Sequence, residues 1–226
     1  MHSTLVALLK HNAKHASEYD TRFEGLQHGQ HPEAVTVCCS DSRVLQDQMW
    51  GNDDPGHLFT CGNIGNRVID GADGEEFVSG DVLYPIEHTG TDLAVVVGHT
   101  GCGAVTATYD ALTDGVSEPP GIERCLDLLK PRLEDGVKAL PDDIDRSDAI
   151  NRLVECNVDR QVQFLRESDD VPEGVSAVGA VYDFQDVYGD KRGEIHVINV
   201  DGERSTETLR EEHPEIAERI DRLWEY

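Results

Sequence analysis

The reading of the fold turns on LAVVVGHTGCGAV, residues 93–105. Its first half is apolar at every position and rich in β-branched valine, as in a short strand covered on both faces. LAVVVGH (93–99) therefore reads as a buried strand, and AVTATYDALTDG (104–115), with helical spacing and a glycine stop, as the helix after it. This arrangement sets His99 and Cys102 at the carboxyl end of a strand, where sites collect in parallel sheets. Alone, the His-x-x-Cys pair is a weak metal signal, because a strand-end histidine is usually only hydrogen-bonded.

Outward from this unit, AVTVCC (34–39) and HLFTC (57–61) are further strand runs, the second preceded by the turn-forming NDDPG. SGDVLYPIEHTG (79–90) has helical spacing, and SAVGAVYDF (176–184) and EIHVINV (194–200) read as strands flanking VYGDKRG. Helices are expected over 3–23, with Ser3 or Thr4 as N-cap, over 121–139 and 147–168, and from 205 to the end. Strands alternating with helices predict an α/β fold with a central, mainly parallel sheet flanked by helices. A length of 226 residues suits one substantial core, so the chain is read as a single domain, 1–226.

Acidic residues number 45 against 19 basic ones, a net charge of −26. Such a field repels nucleic acid and anionic membranes, and neither is expected as a partner. The acids are interleaved with apolar periodicity, which describes a folded protein with an acidic shell rather than a disordered tail. Only five of the basic residues are lysine. Both features suit a salt-rich, halophilic cytoplasm, where ions screen self-repulsion. No apolar run approaches membrane-spanning length, and MHSTLVALLKHNAK lacks a secretory apolar block, so a cytoplasmic location is expected. Six cysteines then read as reduced thiols, in the core or on a metal.

The second half of a metal site is CCSDSRV, residues 38–44, again at a strand end. Cys39, Asp41 and Arg43 alternate, so in extended backbone they leave one face. Cys39, His99 and Cys102 make two thiolates and an imidazole, a donor set that Zn²⁺ favours. Asp41 either fills the fourth position or stands beside it. Arg43 can fork onto its carboxylate and hold it off the metal, leaving room for water. Three protein ligands and one replaceable position mark catalytic zinc, which lowers the pKa of its water to about 7. Hydration or hydrolysis of a small electrophile follows. The glycines of GHTGCGA do not form a phosphate loop, because no Lys-Ser/Thr follows them.

Cys39-Ser-Asp41-Ser-Arg43 together with GHTGCGAV resembles the β-class carbonic anhydrases. NDDPGHLFTCGNIGN, SGDVLYPIEHTGTDLAVVVGH, NVDRQVQFLRES and AVGAVYDF…GEIHVINV are similar to further segments of that family, in order, from about residue 30 to 200. The resemblance implies an N-terminal helical arm (1–28), a catalytic core (30–200) and a C-terminal helix (205–226). It implies zinc on Cys39, His99 and Cys102, reversible hydration of CO2 to bicarbonate by zinc hydroxide, and a homodimer or dimer of dimers with sites near the subunit interface. Asp41 and Arg43 match the family's catalytic dyad. Gln30 matches a glutamine that hydrogen-bonds substrate, and Phe59, Ile64, Tyr84 and Gly103 match positions lining the pocket.

Where the family usually has Arg-Asn, this chain has Gly62-Asn63, which removes a positive charge near the site. Some relatives hold a regulatory bicarbonate with that arginine and a tryptophan three residues before the first cysteine ligand. Thr36 and Gly62 occupy those positions, so that site is expected to be absent. Cys38 points away from Cys39 and reads as core, as do Cys125 and Cys156 on helices. Cys61 ends a strand near the missing arginine, and a role there stays open. His88 and His196 read as structural, and His11 and His15 as a solvated face. Two alternatives share these ligands: a hydrolase of CS2 or COS, and a non-catalytic zinc scaffold closed by Asp41.

Overall fold

The computed structural model describes residues 2–72 and 74–226. In chain order the elements are α1 (Ser3–Tyr19), β1 (Ala34–Cys39), β2 (Leu58–Asn63), β3 (Ile69–Ala72), β4 (Glu75–Val78), α2 (Gly80–Thr89) and β5 (Leu93–His99). They continue as α3 (Gly103–Thr113), α4 (Pro120–Asp127), α5 (Lys130–Ala139), α6 (Arg146–Glu167), β6 (Ser176–Asp183), β7 (Glu194–Val200) and α7 (Thr206–Glu212).

The apolar runs assemble into a five-stranded sheet of order β2-β1-β5-β6-β7, with β7 alone antiparallel. The expected mainly parallel α/β architecture is therefore what the chain forms. Every residue of β1 is buried, and β5 is buried from Ala94 to His99. One face of the sheet carries the main core, where Val35, Val37, Val96 and Ala177 meet Leu153, Val154, Val158 and Val162 of α6. Cys38, Val95 and Val97 form a second, smaller cluster with Val44. Cys38 thus lies on the face away from Cys39, as strand alternation requires.

Four local expectations are corrected. The first helix is capped by His2, whose Nδ1 accepts from the Thr4 amide at 3.2 Å, and it gives way to a 3₁₀ turn after Tyr19. Residues 121–139 form two helices, since Pro131 cannot continue the intrahelical ladder of α4 and instead opens α5. The last helix stops at Glu212, before Pro214, and a 3₁₀ turn leads into a tail without regular structure. Strands β3 and β4 form an antiparallel hairpin that the sequence reading missed, since each is only four residues long.

Helix α6 buries a line of polar side chains, and each is paired. Asn157 donates to the Gly65 carbonyl at 3.0 Å, and Gln161 accepts from the Val68 amide at 2.9 Å. Asp159 accepts from Asn199 at 2.7 Å, from Arg222 at 2.8 Å and from the Tyr226 hydroxyl at 2.9 Å. Glu155, wholly buried, accepts from the Tyr188 hydroxyl at 2.6 Å and from the amides of Leu223 (2.7 Å) and Trp224 (3.1 Å). The C-terminal tail is thereby tied to α6 by two carboxylates one helical turn apart.

Burial pushes the Glu155 pKa up to about 7, against which the hydrogen bonds from Tyr188 and Leu223 pull only partly. The folded state therefore holds a proton that the unfolded chain has released between about pH 4.5 and 7. Its contribution is fully present below that window and is lost as pH rises through 7, a change of about 3 kcal/mol. Denaturant melts across this range should show stability falling with pH, and Glu155→Gln should flatten that segment of the profile.

Candidate active site

Parallel pairing sets Cys38 beside Val97, so the chain ends of β1 and β5 emerge side by side and bring Cys39 next to His99. Cys102 follows as the N-cap of α3, with the amides of Ala104 and Val105 turned toward its sulfur. The sulfurs of Cys39 and Cys102 are 3.7 Å apart, and with a His99 ring nitrogen they form a buried group whose donor atoms all lie within 4.8 Å. The His99 Nδ1 is 3.0 Å from the Thr100 carbonyl, which only accepts, so Nδ1 carries the hydrogen and Nε2 is left as a lone pair. That Nε2 is buried without a hydrogen-bond partner among the described residues.

These donors fit zinc. Tetrahedral bonds of about 2.3 Å to sulfur place two thiolates about 3.8 Å apart, and the two sulfurs stand close to that spacing. The thiols titrate as a pair. The hydrogen bond from Cys102 lowers the Cys39 pKa, while the neighbouring thiolate and burial hold Cys102 well above its ordinary range. A divalent cation removes that second obstacle.

Asp41 stands beside the donors, its Oδ2 3.7 Å from the His99 Nε2. Arg43 takes both carboxylate oxygens, with Nε at 2.9 Å from Oδ1 and Nη2 at 2.7 Å from Oδ2, and its backbone amide adds a third bond at 2.9 Å. The guanidinium holds the Asp41 carboxyl well below the usual carboxylate range. Phe184 braces the pair: its ring stacks on His99 with centroids 5.6 Å apart, and the Arg43 guanidinium lies 4.5 Å from its centre.

An apolar cleft of about 310 Å³ opens over this group, lined by Cys39, Asp41, Ile64 and Gly103 on one side and by Ala107, Glu118, Ile122 and Leu126 on another. Of the five residues matched to substrate contacts, Ile64 and Gly103 line it. Phe59 and Tyr84 pack on each other at 6.2 Å between ring centroids, outside the cleft lining, and Gln30 is exposed on the approach to β1. At the position of the lost arginine, a Cβ on Gly62 would meet the Gln46 Nε2 at 2.9 Å, so the Gln46 amide occupies that space. Cys61 donates to the Asp81 carbonyl at 3.3 Å, its thiol pushed up to about 12 by burial. Cys156 is fully buried, whereas Cys125 is half-buried, its sulfur 3.6 Å from Arg67.

Residues that the sequence reading missed hold the loop between the ligands. Gly101 has a left-handed φ of +62°, and its amide donates to the Asn151 Oδ1 of α6 at 2.8 Å. Asp183 accepts from the Thr100 hydroxyl at 3.2 Å and from the amides of Gln185, Val187 and Tyr188. No periodicity marks Asn151, Asp183 or Phe184 as site residues, because their partners lie far along the chain.

Parallel strand tips that deliver two cysteines and a histidine beside a forked Asp–Arg pair define a zinc enzyme of the α/β class. The carbonic anhydrase family model matches residues 34–194, and the chain belongs to the carbonic anhydrase family. It is 30% identical to a carbonic anhydrase of Mycolicibacterium smegmatis over 179 residues, 76% of this chain and 80% of that protein. Other curated relatives are matched over about half of their length. Among solved structures, the β-carbonic anhydrase CafA of Aspergillus fumigatus is 27% identical with a TM-score of 0.69, covering 97% of this chain and 98% of that one. A tetrameric β-carbonic anhydrase of Sordaria macrospora shares the fold at 23% identity, with a TM-score of 0.69 over 87% of this chain and 97% of that one.

Asn151→Ala should leave the half-buried Gly101 amide without its side-chain acceptor, at about 0.5–1.5 kcal/mol. A lowered melting temperature, with faster loss of zinc to a chelator, is the expected result.

Proposed function

We infer that the chain catalyses the reversible hydration of carbon dioxide to bicarbonate and a proton, with zinc on Cys39, His99 and Cys102. The observation that carries this reading is the orphaned His99 Nε2 facing two sulfurs 3.7 Å apart, at the foot of an apolar cleft. When bound, zinc supplies the Lewis acidity that makes hydroxide available near neutral pH.

The residues of the chain do the rest. Ile64, Ala107, Ile122 and Leu126 offer a neutral, linear substrate an apolar surface. Asp41, kept charged by Arg43, only accepts, so it would accept a hydrogen bond from the nucleophile and orient it toward the substrate. Gln30, with Phe59 and Tyr84, is assigned to the substrate on the resemblance alone, since none of the three lines this cleft within one chain. A non-catalytic scaffold, closed by Asp41 on the metal, is disfavoured by the Arg43 fork that occupies both carboxylate oxygens.

The same reading assigns residues 1–28 as an arm, 30–200 as the catalytic core and the last segment as a brace, in a homodimer or dimer of dimers. Helix α1 buries none of its residues within one chain, and Leu5, Val6, Leu8 and Leu9 are exposed along it. A second copy is the partner assigned to that surface. A salt-rich cytoplasm is assigned from the net charge of −26. No helix among the described residues is long and apolar enough to cross a membrane.

Elemental analysis should find one zinc per chain, lost in Cys102→Ser, and stopped-flow assays should show CO2 hydration. Asp41→Ala should lower kcat by about 10- to 100-fold while keeping zinc. Hydrolysis of COS or CS2 without CO2 hydration would instead select the hydrolase. Thermal melts over a salt series should rise with salt, and undiminished stability in dilute buffer would overturn the halophilic assignment.

A further inference from the structure

Among the described residues that line the cleft, two are acidic, Asp41 and Glu118, and Arg43 pairs only the first. Two thiolates balance a divalent cation, and Asp41 is balanced by Arg43. Glu118 lines the same cleft, and among the described residues its carboxylate has no hydrogen bond or ion pair. Its backbone is pinned there. The Glu118 amide donates to the Glu123 Oε2 at 2.9 Å, Glu123 is paired with Lys130, and Pro119 and Pro120 follow directly at the start of α4. The nearby cation, Lys130, is thus already committed to Glu123 and Asp127.

Resting on the zinc-site reading above, the geometry points to Glu118 as the residue that discriminates against anions at this cleft. Its negative charge belongs to a cleft lined mostly by apolar side chains, where screening is weaker than in open water. Carbon dioxide, being neutral, passes it at no electrostatic cost. Small anions that compete for the open metal position are repelled, and bicarbonate, the anionic product, is pushed outward by the same field.

The test is anion binding rather than turnover. Cobalt-substituted protein is titrated with azide at one ionic strength, the visible spectrum reporting the Kd, with neutral imidazole at alkaline pH as the uncharged competitor. Removing one unit charge at cleft distances should tighten azide about three- to tenfold in Glu118→Gln. Glu118→Lys should tighten it further, Glu118→Asp should stay near the parent, and imidazole should bind all four alike. An unchanged azide Kd in Glu118→Gln, or imidazole tightening in parallel with azide, overturns the proposal. Absence of CO2 hydration in the zinc protein would count against the functional reading alone, since the azide titration does not require turnover.

Discussion

Two buried sulfurs in van der Waals contact, facing an imidazole nitrogen with nothing to bind, are the constraint around which this chain is organised. Without a cation the arrangement is unfavourable: a second thiolate is opposed by the first, and an unpaired buried nitrogen costs about 1–3 kcal/mol. The fold holds it in place from three directions. β1 and β5 fix Cys39 and His99 through parallel register, α3 fixes Cys102 as its N-cap, and α6 fixes the intervening loop through Asn151. A preformed site of this kind turns metal binding energy into stability of the folded state.

Helix α6 is where packing and function meet. One stretch of it places valines on the sheet, while its amides and carboxylates reach the ligand loop, the Gly65–Val68 segment and the C-terminal tail. Asn151 and Glu155 are one helical turn apart, so the loop that carries Cys102 and the tail that closes the far end share one rigid support. Polar groups buried in this way are tolerated because each has a partner, and they fix one register of tail and loop where an apolar surface would permit several.

What the sequence disclosed, and what it withheld, follows from the range of each interaction. Strands β1 and β5 are visible because their burial on both faces forces unbroken apolar runs, and the ligands are visible because cysteine and histidine at strand ends are chemically rare. The Asp41–Arg43 fork is local, two residues apart, and needs only strand alternation. Phe184, Asn151 and Asp183 are different: their roles exist only once β6 and α6 have docked, and nothing in AVGAVYDF or DAINRLV announces them. The break between α4 and α5 was signalled by Pro131 but hidden by the continuous apolar spacing on either side. Glu118 was hidden more deeply, because in a chain with 45 acids one more glutamate carries no signal until its position is known.

Gly62, where the resemblance leads one to expect arginine, and Glu118 would act in the same direction. At the first, the uncharged Gln46 amide takes the space beside the glycine. The second adds a negative charge to the lining of the cleft. Neither alters the donors, the Asp41 fork or the apolar walls, so on the proposal above the affinity for a neutral gas would be left alone while that for anions would fall. A surface of net charge −26 works at longer range and is screened by dissolved salt, whereas a charge in a mostly apolar cleft is screened less. In the proposed salt-rich setting, discrimination between substrate and competing anions would have to be built at the site itself, which is the role proposed for Glu118.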